Sequence, residues 1–147
     1  MQNDIYNSTP ELIDLYKLND YSMMPLFDKQ MEALLFLEDD KVNELLYGGS
    51  ARGGKSVLGC DWQLFRRLSM PESYGLIARE ERTKLEDTTL KTFFARLKYY
   101  GLERDNDYYY NAQKLYFEFK NGSHEFFNEI KYLPGDPEFD RLGSYDL

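Results

Sequence analysis

One eight-residue stretch constrains this chain more than any other: Gly49, Ser50, Ala51, Arg52, Gly53, Gly54, Lys55 and Ser56. It meets the pattern Gly-x-x-x-x-Gly-Lys-[Ser/Thr] at every fixed position. Composition alone would produce such a match in a chain of this length well under about one time in a hundred. The pattern demands a setting, because the backbone N–H groups of a glycine-rich turn and those of a helix N-terminus must converge on one anion. The loop therefore has to join a buried strand to a helix. The flanks read that way: residues 42–47 are a short apolar run ending at Gly48 and Gly49, and residues 58–68 have helical spacing.

Chemistry then assigns the positions. Gly49, Gly53 and Gly54 let the backbone close around a β-phosphate, with Ser50, Ala51 and Arg52 completing the turn. Lys55 places positive charge on the β- and γ-oxygens, and Ser56 offers a hydroxyl to Mg²⁺. The stretch reads as a site for a nucleoside triphosphate, ATP with Mg²⁺. The bland alternative is a glycine-rich turn with an exposed lysine. Arg52 either reaches the γ-phosphate or points to solvent. A guanidinium that meets transferring phosphoryl charge is worth several powers of ten in rate, so Lys55, Arg52 and, as a second arginine, Arg79 are the candidate catalytic residues.

The rest of the chain reads as one domain over residues 1–147, without repeats or a Gly/Ser/Pro-rich linker. Thr9, Pro10 and Glu11 open a short helix toward Leu18, and a second helix is expected over residues 28–38. After the loop come a strand over residues 73–79 and a helix over 88–99, capped by Asp87 and ended by Gly101. Residues 113–120 alternate apolar and polar, Asn121 and Gly122 supply a two-residue turn, and residues 123–130 return. This order predicts an α/β fold, a sandwich with a mainly parallel sheet of the P-loop NTPase (RecA-like/ASCE) kind, incomplete within these residues.

A lone cysteine, Cys60, excludes an intrachain disulfide, and the start of the chain lacks the basic and apolar regions of a signal peptide, so a cytoplasmic setting is expected. The longest apolar run is far short of the ~20 residues that span a bilayer, and no membrane role is expected. The net charge of −8 is unevenly spread. Nine basic against six acidic residues fall within residues 62–104, either as a phosphate-facing surface or as an ordinary solvated helix face. His124, the one histidine, and Cys60 have no metal-site spacing and read as packing or surface residues. Tyr108, Tyr109 and Tyr110 read as a strand edge or packing site, with base stacking as the alternative.

Turnover at such a loop normally needs an acid on a second, later strand to hold Mg²⁺, followed by a carboxylate that orients water. Residues 33–39 fit that pattern but precede the loop and begin like a helix, so they are a decoy. No run of four apolar residues after the loop ends in Asp or Glu.

The order of Gln30, then residues 44–56, then residues 74–79 with Leu85, Glu86, Asp87 and Thr88 behind them, resembles the ATPase domain of tailed-phage terminase large subunits. Residues 115–123 and 136–144 are similar to the hairpin and Leu-Gly-Ser segment that lead into the Walker B strand in that family. The resemblance implies a motor that packages double-stranded DNA into a capsid through a portal protein, driven by ATP hydrolysis. It implies a small terminase subunit as partner, assembly as a homo-oligomeric ring, and a separate nuclease domain that these residues lack. Gln30, with Phe27 before it, matches the family's adenine-contacting glutamine; a plain helix-surface glutamine is the alternative. The Walker B acids and coupling motif have no counterpart here, which implies poor hydrolysis by the chain alone. Two rival readings are another P-loop NTPase, helicase-like or kinase-like, and a truncated, non-catalytic nucleotide-binding module.

Overall fold

The structure, a computed structural model, describes residues 28–49, 54–138 and 140–142, so the helix expected over residues 9–18 lies outside it. Ala33 and Leu34 form the buried face of α1 (Asp28–Leu37) and pack on Leu58 and Phe65 of α2 (Lys55–Ser69). The acid-tipped run at residues 33–39 is thus helical through Leu37, as its start indicated. Arg66 Nη1 lies 3.9 Å from Glu38 Oε2, tying the end of α2 to the end of α1.

β1 (Tyr74–Arg79) leads into a continuous helical stretch: α3 (Arg82–Lys84), a π-helical segment (Leu85–Leu90) and α4 (Lys91–Tyr99). Helix therefore begins well before residue 88. Asp87, expected as its N-cap, sits inside the π-helical segment and pairs with Lys91 at 3.4 Å. The widened turn puts Leu85 and Leu90, five apart, both into the core. Gly101 ends the helix as expected, with φ at 72°. Its N–H donates to Lys98 O at 3.0 Å and the Leu102 N–H to Leu97 O at 2.9 Å, a Schellman arrangement that satisfies the last carbonyls.

The sheet adds β2 (Tyr108–Asn111), β3 (Tyr116–Phe119) and β4 (His124–Glu129), in the order β1-β4-β3-β2. Only β1 and β4, which are far apart in sequence, run parallel; β4–β3 and β3–β2 are antiparallel. The sheet is mixed and not mainly parallel, because short turns can join only antiparallel neighbours. The hairpin loop also differs from the two-residue turn expected. Phe119 N–H donates to Ser123 O and Gly122 N–H to Phe119 O, both at 2.9 Å, which encloses Lys120, Asn121 and Gly122, with Gly122 left-handed at φ 81°.

Residues 42–47 do not form the expected strand. Leu45 and Tyr47 lean on the α1–α2 cluster while Leu46 is 97% exposed. The alternation of a strand is present, but these residues are not paired with β1, the edge strand of the described sheet. The core lies between α2, α4 and one sheet face, where Phe93 meets Phe117 at 4.8 Å and Phe127 at 5.2 Å between ring centroids. On the other face Tyr74 and Tyr109 stay about half exposed. Among the described residues the α/β architecture is a four-stranded mixed sheet with α2 and α4 on one face.

One buried position on the helix-covered face is charged. Glu125 of β4 is fully buried, 3.7 Å from Arg67 Nε of α2. A Cβ at Gly75 would stand 2.1 Å from Glu125 Oε2, so glycine is required where β1 passes this carboxylate. Burial pushes Glu125 up to about 8 from an ordinary 4.5, although Arg67 pulls it down. The folded chain therefore keeps a proton that the unfolded chain has lost. Stability should be full below about pH 4.5, fall as pH rises, and level off above about pH 8. Glu125→Gln is expected to flatten that decline, read from denaturation midpoints at pH 5, 7 and 9; an unchanged slope would assign the decline to other groups.

Candidate phosphate site

The two ends of the glycine-rich loop are described; Ser50, Ala51, Arg52 and Gly53 lie outside the described residues. Gly54 is the N-cap of α2 with φ at 71°, a left-handed conformation suited to glycine. No side chain caps this helix start. A glycine at the N-cap brings no side chain of its own to the first-turn N–H groups and lets an anion approach the backbone closely. Lys55 follows directly and folds back so that Nζ donates to Gly49 O at 2.9 Å. The first and last parts of the motif are therefore within one hydrogen bond of each other.

Ser56 is exposed on the first turn of α2 beside Lys55. A single hydroxyl next to the phosphate position suits Mg²⁺, which takes few protein ligands and completes its shell with phosphate oxygens and water. Lys55 and Ser56 border a cleft of about 430 Å³ whose walls include Leu45, Tyr47, Ile77 and Thr89. Cys60 also lines it, but burial pushes its thiol up to about 12, so it is an inert packing group, as its isolation in the sequence indicated.

Arg79 ends β1, exposed, and its Nη1 donates to Thr88 Oγ1 at 2.6 Å and to Thr89 Oγ1 at 3.3 Å. It does not line the cleft, although its partner Thr89 does. Thr88 and Thr89 were not singled out for a role at the site. They reach Arg79 from the π-helical segment, whose signal is the five-residue spacing of Leu85 and Leu90.

Gln30 is buried at 2% exposure and donates from Nε2 to Gly54 O at 3.0 Å. It is not a helix-surface glutamine. The structure brings Gln30, Gly49, Gly54, Lys55 and Ser56 together at one end of α2, with Arg79 at the end of the edge strand. His124 lies outside this group, between the rings of Tyr74, Tyr116 and Phe126. In the tyrosine triplet, Tyr108 and Tyr110 are buried and Tyr109 is half exposed, the alternation of a strand. Among the described residues no group of three or more His, Cys, Asp or Glu is placed to hold a metal, and no helix is long and apolar enough to cross a membrane. No protein-family model, curated protein or solved structure gives a significant match to the chain.

Proposed function

We propose that this chain binds Mg-ATP through the loop at residues 49–56 and is the ATP-binding part of a DNA-packaging motor of the tailed-phage terminase kind. One observation carries the nucleotide reading: a complete phosphate-loop motif runs into a helix whose N-cap is the left-handed Gly54, with Lys55 folded back onto the Gly49 carbonyl. In this reading the loop N–H groups and Lys55 hold the β- and γ-phosphates, Ser56 ligates the metal, and Arg52 meets charge on the γ-phosphate. Arg79, bonded to two threonine hydroxyls at the end of β1, is the second arginine proposed for that role. Bound Mg²⁺ would neutralise phosphate charge. The packaging assignment rests on the order of the matching segments from Gln30 to residue 144.

The assignment is tested in the complete motor. DNA and the portal protein together are expected to stimulate ATP hydrolysis, and Arg52→Ala should slow it by roughly a thousandfold or more while leaving ATP binding. Hydrolysis indifferent to the portal would favour a helicase-like NTPase, and a wild-type rate in the variant would remove Arg52 from the mechanism. A second reading is a nucleotide-binding module without turnover, since residues 57–147 hold no acid-tipped apolar run of the kind that supplies the metal acid. Tight ATP binding with no hydrolysis in the complete protein would select it.

A further inference from the structure

We infer that Gln30 is a positioning residue for the phosphate loop, acting on any triphosphate whatever its base; this rests on the nucleotide reading above. The side chain reaches from α1 to the last glycine of the motif, where Nε2 donates to Gly54 O at 3.0 Å. The same carbonyl accepts the Leu58 N–H at 3.0 Å, the first bond of α2. Gln30 therefore grips the point where loop becomes helix. The fit is close: a Cβ on Gly54 would stand 2.2 Å from Gln30 Nε2, so the amide fills the space that only glycine leaves.

The consequence follows from the planarity of the peptide unit. The Gly54 carbonyl and the Lys55 N–H belong to one rigid plane and point in opposite directions. Fixing the carbonyl from the α1 side fixes the aim of the Lys55 N–H on the other side, and a phosphate loop works through the aim of such N–H groups. α1 is a firm base for this, since Ala33 and Leu34 are packed on Leu58 and Phe65. A glutamine at 2% exposure with its amide on the loop is built to hold the loop, where an adenine reader would present its amide to the base.

Gln30→Met keeps the length of the side chain and removes the donor. Binding of Mg-ATP, Mg-GTP and inorganic tripolyphosphate is measured by calorimetry on wild type and variant, at a temperature where circular dichroism shows both folded. All three affinities are expected to fall together by roughly tenfold, the worth of one buried hydrogen bond. A loss confined to ATP would make Gln30 a base reader, and no loss for any ligand would remove it from the site; either result overturns the inference. If folded wild type binds none of the three, the nucleotide reading itself fails. Amide hydrogen exchange then decides about the brace: faster exchange at residues 55–58 in Gln30→Met supports it, and unchanged exchange overturns it.

Discussion

Arg96→Ala is expected to lower the unfolding free energy by about 3–5 kcal/mol at neutral pH, because it strands a buried carboxylate. Arg96 on α4 is 3% exposed and donates to Asp61 on α2 twice, from Nε at 2.6 Å and from Nη2 at 2.7 Å. The Tyr100 hydroxyl accepts from Arg96 at 2.9 Å and donates to Asp61 Oδ2 at 3.2 Å, so the carboxylate is enclosed by three bonds. Burial raises the Asp61 carboxyl above its ordinary 3.8 even against the pull of the guanidinium. Without Arg96 it should rise further. The folded variant then keeps a proton that folded wild type has released, so its deficit should grow with pH above the raised wild-type Asp61 titration. Denaturant titrations at pH 5 and pH 8 check both size and sign. Adding Asp61→Leu to Arg96→Met is expected to recover most of the loss, since apolar replacement of a whole buried pair is often neutral. A deficit below about 1 kcal/mol would mean that the pair does not anchor α2 to α4. The link to function is direct, because Asp61 lies on the helix that begins with Lys55 and Ser56.

Lys55→Ala is expected to weaken Mg-ATP binding by at least roughly 10- to 100-fold, the range for removing hydrogen bonds made by a charged donor to phosphate. The Nζ group donates to the Gly49 carbonyl at 2.9 Å, so it is pre-positioned at the loop, and in the proposed complex phosphate oxygens would replace that neutral acceptor. Stability should change little, since the amine is exposed. Calorimetric titration together with a thermal melt separates the two effects. Equal affinity in a folded Lys55→Ala chain would show that the motif is an ordinary turn.

The elements that could be read in advance are those whose side chains follow one period. Ala33 and Leu34, Leu58 with Leu64 and Phe65, and the alternation of Phe117 and Phe119 placed α1, α2 and the hairpin close to where they occur. The tyrosine triplet, read as a strand edge or packing site, is in the edge strand β2, although three consecutive tyrosines hide an alternation that burial reveals. Residues 42–47 differ from their reading because apolar character shows what could be buried, whereas a strand is made by backbone pairing, and these residues are not paired with β1. Long-range polar fits were invisible for another reason. Gln30 and Gly54 are 24 residues apart, and Asp61 and Arg96 are 35 apart. Nothing local marks either pair, and the burial of Glu125 follows from the β1–β4 register, which sets it against Gly75. The loop could be proposed from sequence because the fixed positions of its motif are consecutive or nearly so.

The most direct test is a calorimetric titration of the purified, folded chain with ATP in the presence of Mg²⁺. Saturable binding to a single site is expected, lost in Lys55→Ala and competed by tripolyphosphate. A chain that is folded by circular dichroism yet shows no saturable ATP binding would contradict the assignment of residues 49–56 as a phosphate site.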